Sequence, residues 1–289
     1  GNITDQIVVT GTVDMNSTGT YLLTYSVQDE AGNPATATRT VTVTGNRTVD
    51  LNATATMDMI WCPPGTFTMG SPTTEAGRGT DETEHNVSLT KGFYLGKYEV
   101  TQAQYEAVIE SNPSEFNATG NGNRPVEKVN WTEAVAFCTQ LTTQEQAAGR
   151  LPAGWAYELP TESQWEYACR AGTTTRFSWG DSITITNANY SSSGYSQTRD
   201  VGQYAANPWG FFDMSGNVWE WTADRYQAAY PTGNPVIDPT GPASGSNRVG
   251  RGGSWNNGGA DMRSAERNSY NTSHRSYGIG FRVSLQKSQ

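Results

Sequence analysis

The sequence predicts an α+β protein that carries a small all-β module at its N-terminus. Three observations support this fold class. Residues 1–45 contain alternating and β-branched stretches and no helix signal. Three capped helical patterns follow between residues 101 and 170. From Ala171 onward helix signals vanish, and the chain becomes rich in Gly, Asn, Ser and aromatic residues.

The N-terminal module is predicted from three strand-like segments, residues 6–12, 20–29 and 35–44, with a hairpin turn at 29–33. The run GTYLLTYSVQDEAGNPATATRTVTV resembles the last strands of bacterial or archaeal Ig-like surface modules. The resemblance covers only the second half of such a module. We therefore expect its first strands, and further modules of the same kind, upstream of Gly1. An irregular β appendage on the main domain is the alternative.

A polar linker is predicted at residues 46–54, and a second domain at 55–289. Thr101 is expected to cap a helix over 102–110, and Thr132 a helix to about Gln144. Thr161 is expected to cap a third helix, with Gln164 in the capping-box position. Strands are predicted at 57–61, 66–70, 87–89 and 93–98.

Composition excludes several classes of function. The net charge of −9 and pI of about 4.8 argue against a nucleic-acid partner. No apolar run is long enough for membrane insertion. Of the three cysteines, Cys138 and Cys169 lie in apolar helical contexts and are predicted to be small buried hydrophobes.

Residues 252–283 form an unusual segment, GGSWNNGGADMRSAERNSYNTSHRSYGIGFRV. Its two ends resemble packed strands. Its middle lacks alternating apolar residues, so most of it is expected to face water or a partner. Adaptable polar side chains with Tyr and Trp anchors are typical of binding surfaces. An ordinary polar surface loop is the alternative.

Eight motifs occur in order and resemble the formylglycine-generating enzyme, or sulfatase-modifying factor, family across roughly residues 55–285. They are PPGTFTMGS, GFYLGKYEVTQAQYEAV, RPVEKVNWTEAVAFC, LPTESQWEYACRAGT, FSWGD, NPWGFFDMSGNVWEWTADRY, RGGSW and GFRV. The resemblance implies that family's variant of the C-type lectin fold.

Catalysis is not expected despite this resemblance. The family's enzymes use two copper-binding cysteines shortly after the GGS motif, whereas this chain has no cysteine after Cys169. No thiolate is then available for copper or oxygen chemistry. Related sulfoxide synthases use several histidines, and this chain has two, far apart. We therefore predict a non-enzyme without copper.

The resemblance also implies structural calcium. One family calcium loop matches Asp213, Gly216, Val218 and Glu220, and a second site would begin at Asn189 and Tyr190. Calcium requires hard oxygen ligands, which these residues offer. Without the resemblance, an Asp and a Glu in one loop would indicate only a solvated surface.

The segment further resembles the variable proteins of diversity-generating retroelements, whose C-terminal region is rewritten at template adenines. Such change converts Asn codons into a restricted set of residue types that lacks Lys, Gln, Glu, Met and Trp. Residues 256–278 fit that set closely, with Met262, Arg263, Ala265, Glu266, Arg267 and Arg275 as fixed framework. The predicted ligand-binding residues are Trp255, Asn256, Asn257, Gly259, Asp261, Asn268, Ser269, Tyr270, Asn271, Ser273, His274, Ser276, Tyr277 and Gly278.

The leading hypothesis is a non-catalytic receptor-binding protein displayed on a virion or cell surface, hence extracellular. Its partner would be a protein or glycan on another cell or host surface. Two alternatives remain: a divergent oxidase of the formylglycine-generating type, and a fixed calcium-dependent lectin. The lectin alternative lacks the EPN or QPD tripeptide of sugar-binding relatives.

Overall fold

The computed structural model describes residues 6–13, 19–29, 31–43, 45–231 and 233–287. Its contacts divide the chain into two units, Gly1–Asn46 and Arg47–Gln289. In the first unit β1 (Val8–Thr10), β2 (Gly19–Gln28) and β3 (Pro34–Val43) form an antiparallel sheet in the order β1-β2-β3. The three strand predictions are confirmed, although β1 is shorter than expected. Residues 1–5 and 14–18, Glu30 and Thr44 of the predicted module lie outside the described residues.

In its described residues, the second unit combines three α-helices with three sheets. Its elements are β4 (Arg47–Asp50), β5 (Thr56–Cys62), β6 (Gly65–Met69), β7 (His85–Leu89), β8 (Phe93–Gly96), α1 (Gln102–Ile109), α2 (Trp131–Ala147), β9 (Trp155–Glu158), α3 (Glu162–Arg170), β10 (Trp219–Arg225), β11 (Val236–Ile237), β12 (Asn247–Arg251), β13 (Arg267–Asn271), β14 (Ile279–Phe281) and β15 (Ser284–Lys287). The sheet orders are β4-β5-β8-β15-β9, β11-β7-β6 and β13-β12-β10-β14. Only the β10–β14 and β11–β7 pairs are parallel among the strand pairs of the described chain.

The predicted linker at 46–54 is wrong. Arg47–Asp50 pairs antiparallel with β5, from Arg47 opposite Met59 to Asp50 opposite Thr56. Val49 is 2% exposed and packs into the main core. A polar segment can still form an edge strand, because backbone hydrogen bonds do not depend on side-chain type.

The helix caps follow local sequence signals with one exception. Thr101 and Thr161 cap α1 and α3, each in a capping box with a glutamine three residues later. The cap predicted at Thr132 is wrong, because Asn130 accepts from the Glu133 amide and α2 begins at Trp131. Asparagine is a stronger N-cap than threonine, so the helix starts at the better cap.

Two large apolar cores and a small third cluster of Phe177, Ala188, Tyr190 and Met262 lie within the described part of the second unit. The larger lies between α1, α2 and the five-stranded sheet, with Phe137, Phe281 and Trp221 at its centre. The smaller surrounds Trp165 of α3 and the three-stranded sheet. Within the described part of the chain, no helix is both long and apolar enough to cross a membrane.

Candidate functional site

The unusual segment begins in a tight turn. The expectation that Gly252–Trp255 is packed strand is wrong, because β12 ends at Arg251. Gly252 and Gly253 have φ of +91° and +74°, a region that favours glycine. A Cβ at Gly253 would lie 2.6 Å from the Asp261 carbonyl oxygen. The turn therefore requires glycine there, and it directs the chain onto the surface.

The middle of the segment is buried. Residues 262–265 and Arg267 are buried, and Arg263 has no exposed surface. Arg263 donates to Glu82 from Nη1 at 2.6 Å and from Nη2 at 2.7 Å. It also contacts Glu75 at 2.9 Å and Glu266. One guanidinium thus serves three carboxylates, which fits its predicted role as fixed framework.

The other arginines around the segment are also paired inside the protein. Arg267 donates to both Glu162 oxygens at 2.8 and 2.7 Å. Arg251 pairs with Glu166, and neither side chain is exposed. Buried charges persist only when they are paired and hydrogen-bonded. We call Arg251, Arg263 and Arg267 with these carboxylates the arginine hub.

Two surface segments, residues 255–261 and 268–277, lie next to the hub in sequence, and we call them the first arm and the second arm. Exposed and less exposed positions alternate along each arm. In the first arm Asn256, Gly258 and Ala260 are exposed. In the second arm positions 271, 273, 275 and 277 are exposed. Arg275, predicted as fixed framework, thus lies with the exposed positions, unlike the buried Arg263 and Arg267. The arms meet where Trp255 Nε1 donates to the Tyr277 carbonyl oxygen at 3.0 Å. They therefore form one continuous surface, the variable face, which comprises residues 255–261 and 268–277.

The predicted ligand-binding residues occupy three environments. Five are exposed: Asn256, Asn268, Asn271, Ser273 and Tyr277. Eight are half-buried: Trp255, Asn257, Gly259, Asp261, Ser269, Tyr270, His274 and Ser276. Gly278 is buried, and a Cβ there would lie 3.0 Å from Ser254 Oγ. Its prediction as a ligand contact is wrong, because it lies beneath the first arm.

Two of the half-buried residues are partly committed to the scaffold. The Tyr270 ring packs on Trp219 and Trp221, with centroids 6.1 and 5.8 Å away. Burial raises the pKa of Tyr270 above its ordinary value. Asn257 Oδ1 accepts from Trp219 Nε1 at 2.9 Å. Only the outer edges of these two side chains are left for a ligand.

Phe116, which the sequence analysis missed, lies beside the variable face. Its ring centroid is 5.7 Å from that of Trp255 and 6.3 Å from that of Tyr277. It belongs to the loop between α1 and α2, far from the segment in sequence. A single aromatic residue in the polar run 111–124 was the available signal.

The three cysteines lie away from this surface in the apolar cores. Cys62, Cys138 and Cys169 are free and at most 2% exposed. Burial raises the pKa of the Cys169 thiol to about 11, so it is protonated at neutral pH. The prediction that Cys138 and Cys169 are buried hydrophobes is confirmed.

The calcium ligands predicted around Glu220 do not fit the structure. Glu220 Oε1 accepts from Arg282 Nη2 at 2.7 Å. Its Oε2 accepts from Trp165 Nε1 at 2.7 Å and Arg282 Nε at 2.9 Å. The buried guanidinium of Arg282 therefore occupies the place of a cation. Asp213 remains beside this pair, with Oδ2 accepting from the Gly202 amide at 2.6 Å, while Gly216 and Val218 lie in the same loop.

At the second predicted calcium site, the oxygens of Asn189 and Tyr190 accept hydrogen bonds within their own loop. Asn189 Oδ1 accepts from Ser193 Oγ at 2.9 Å, and its Nδ2 donates to the Gln197 carbonyl at 3.0 Å. The Tyr190 carbonyl accepts from the Ser193 amide. The described residues include no group of three or more His, Cys, Asp or Glu side chains placed to hold a metal.

Mixed sheets, few helices and a long irregular C-terminal half define an α+β fold of the formylglycine-generating-enzyme type. The chain belongs to the sulfatase-modifying factor enzyme 1-like domain family, whose model matches residues 46–287. A second model, the Ig-like domain of bacterial surface proteins, matches residues 1–43. Both expected resemblances are confirmed.

Relatives of this chain include enzymes. A formylglycine-generating enzyme of Streptomyces coelicolor is 36% identical over 152 residues, which cover 47% of this chain and 44% of that protein. The mouse enzyme of the same name is 26% identical over 261 residues, covering 68% of this chain and 66% of that protein. The chain thus spans about half to two thirds of the length of these relatives.

A solved structure similar to this one is Treponema denticola variable protein 1. Its TM-score is 0.74 at 28% identity, and the match covers 83% of this chain and 99% of that chain. The fold is therefore shared by a protein named as variable and by proteins named as enzymes.

Proposed function

We propose that this protein is a non-catalytic binding protein that recognises its ligand with the variable face. The observation that carries the proposal is the separation of exposed arms from the buried arginine hub. Exposed positions accept substitution at a cost of about 0.5 kcal/mol or less, whereas loss of one partner of a buried ion pair costs about 3–5 kcal/mol. Side chains on the arms can therefore change while the backbone beneath them stays fixed.

Binding rather than catalysis is supported by the chemistry of the face. It presents amide, hydroxyl and aromatic groups, and no thiol, because all three cysteines are buried. Tyrosine and tryptophan provide large contact areas with few torsions to order, and asparagine and serine provide adaptable hydrogen bonds. The similarity to Treponema denticola variable protein 1 agrees with this role.

Diversification of the face is the finer part of the proposal. Sequences of this gene from several isolates test it. We expect substitutions to concentrate at the exposed positions of residues 255–277 and to spare the arginine hub. Substitutions spread evenly along residues 47–287 would contradict diversification but not binding. A reverse transcriptase and a near-copy of the codons for 252–283 beside the gene would support it.

The enzymatic alternative is tested directly. The full chain, loaded with copper, is incubated with a cysteine-containing peptide, and formylglycine is measured by mass spectrometry. We expect no turnover, and clear turnover would overturn the proposal. We further propose that the protein is displayed on a surface, in an extracellular setting, with the Ig-like unit as part of a stalk. The match of residues 1–43 to bacterial surface modules supports this part of the proposal.

A further inference from the structure

Phe116 lies on a loop that is fixed by side chains rather than by regular structure. The Phe116 amide donates to Glu127 Oε1 at 2.8 Å. Its carbonyl accepts from Gln102 Nε2 at 3.1 Å and from Asn121 Nδ2 at 2.9 Å. Glu127 has no exposed surface, and its own amide donates to Ser114 Oγ at 3.2 Å. The backbone of Phe116 is thus held from both sides.

The ring that this backbone presents completes an aromatic cluster. The ring centroids of Trp255 and Tyr277 are 5.5 Å apart, with an interplanar angle of 33°. The Phe116 ring packs edge-on against both, at interplanar angles of 75° to Trp255 and 65° to Tyr277. Tyr277 is 46% exposed, so the outer side of the cluster faces solvent. Rigid aromatic residues at a partly exposed position are the usual anchors of binding surfaces.

We propose that Phe116 is a fixed ligand-contact residue and that, with Trp255 and Tyr277, it receives an apolar side chain of a polypeptide ligand. This inference rests on the proposed function and extends the binding surface beyond residues 255–278. Its consequence is a divided surface. Phe116, which lies outside the segment, supplies a constant apolar contact, and the exposed positions of the variable face, Tyr277 among them, select among ligands.

The surroundings of the cluster favour a polypeptide over an ionic ligand. The flanking charges are already paired, Lys128 with Glu115 at 2.8 Å and Arg275 with Glu133 at 2.5 Å. These two ion pairs leave no excess of positive or negative charge beside the cluster that would select a charged ligand.

The same surroundings favour a polypeptide over a glycan. A sugar needs free acceptors and donors next to the stacking ring. Here Trp255 Nε1 is committed to the Tyr277 carbonyl. The Ser254 hydroxyl lies within hydrogen-bond distance of both Asn256 Oδ1 and Asn257 Oδ1. The Trp255 indole N–H and the Ser254 hydroxyl are thus committed within the protein, which leaves apolar contact as the main interaction of the three rings.

Selection of a random twelve-residue peptide library on phage against the full chain tests the inference, with a glycan array in parallel. We expect enriched peptides to share an aromatic or large aliphatic position. Phe116→Ala should weaken their binding about tenfold or more, because truncation of an aromatic anchor removes more than about 1.4 kcal/mol. Phe116→Leu should retain most of it. Trp179→Ala is the matched control, since Trp179 is an exposed aromatic residue stacked on Phe177 elsewhere in the unit.

The outcomes separate this inference from the proposed function. Peptides that lose binding with Tyr277→Ala but not with Phe116→Ala would overturn the role of Phe116 and leave the binding face intact. Glycan binding without peptide enrichment would overturn the polypeptide ligand. Peptides indifferent to both substitutions, or no enrichment in either format, would count against the inference and the proposed function together. Unchanged thermal unfolding of Phe116→Leu and Trp179→Ala confirms that these variants are folded.

Discussion

Replacing Arg263 by methionine should destabilise the second unit far more than the same replacement at Arg275. Both arginines lie in the same segment and both form ion pairs. Arg263 has a fully buried side chain, whereas Arg275 is 44% exposed and its partner Glu133 is 35% exposed. Methionine keeps an unbranched apolar stem in both cases, so the comparison isolates the charge.

The expected loss of stability follows from the carboxylates that lose their partner when Arg263 is replaced. Glu82 is 1% exposed and loses a bidentate partner, while Glu75 and Glu266 lose their shared cation. Breaking a buried ion pair costs about 3–5 kcal/mol, and an exposed pair is worth about 0–1 kcal/mol. For a unit of this size, 1 kcal/mol shifts Tm by about 2–4 °C. We therefore expect a fall of about 6–20 °C for Arg263→Met and less than about 4 °C for Arg275→Met.

The dependence of this cost on pH distinguishes lost charge from lost packing. Burial raises the pKa of Glu82, but hydrogen bonds from Arg263, the Gly79 amide and Ser71 lower it by more than burial raises it. The pKa of Glu82 is therefore below its ordinary value. Burial raises the pKa of Glu266 to about 7, although Arg263 opposes that rise. Without Arg263 both carboxyls should accept protons more readily. The variant should then lose less stability at pH 5.5 than at pH 8.

Thermal unfolding of the full chain, followed by circular dichroism at both pH values, measures these effects. Equal small shifts for the two arginine variants would refute the idea of a structural hub. A large loss for Arg263→Met that does not change with pH would show that packing, and not charge, is responsible.

Three further predictions use the same assay. First, burial is the largest cause that raises the pKa of Glu127 and of Asp224 to about 7. Because a raised carboxyl pKa means that the folded state holds its proton more tightly than the unfolded state, stability should rise as pH falls from 8 to 5.5. This rise should be smaller in Glu127→Gln. Second, Gly278→Ala should cost about 1–3 kcal/mol by overpacking against Ser254, whereas Gly258→Ala, with φ of −73° and its nearest atom at 3.6 Å, should be neutral. Third, excess calcium should change Tm by less than about 1 °C, because the two carboxylate oxygens of Glu220 already accept hydrogen bonds from Arg282 and Trp165. A rise in Tm of several degrees would show that a calcium site forms.

The parts of the fold that could be predicted from sequence are those set by neighbours in the chain. The caps at Thr101 and Thr161 depend on a residue three positions away, so their signal is local. The strand at Arg47–Asp50 exists only because β5 pairs with it, and its composition alone resembles a linker. Distant contacts overrule local composition in such cases.

The same limit applies to the site. The polar composition of the segment predicts a surface, and only its two arms are exposed, because Met262 and Arg263 between them are buried. The burial of Arg263 agrees with a framework role. Its depth of burial could not be predicted, because its partner Glu82 lies 181 residues earlier in the chain. Phe116 was missed for the same reason, since only the folded chain places its loop beside Trp255.

The energetic contrast between the hub and the arms would allow one scaffold to carry many surfaces. Eight positions of the variable face are exposed, namely 256, 258, 260, 268, 271, 273, 275 and 277. If each substitution shifts stability by about 0.5 kcal/mol in a random direction, the root-mean-square total of eight independent changes is about 1.4 kcal/mol. Domains of this kind have about 5–15 kcal/mol of stability, so the whole face could be replaced without unfolding the protein. One substitution in the arginine hub would use more of that margin than all eight. The boundary between changeable and fixed positions should therefore follow burial along the segment and not residue polarity.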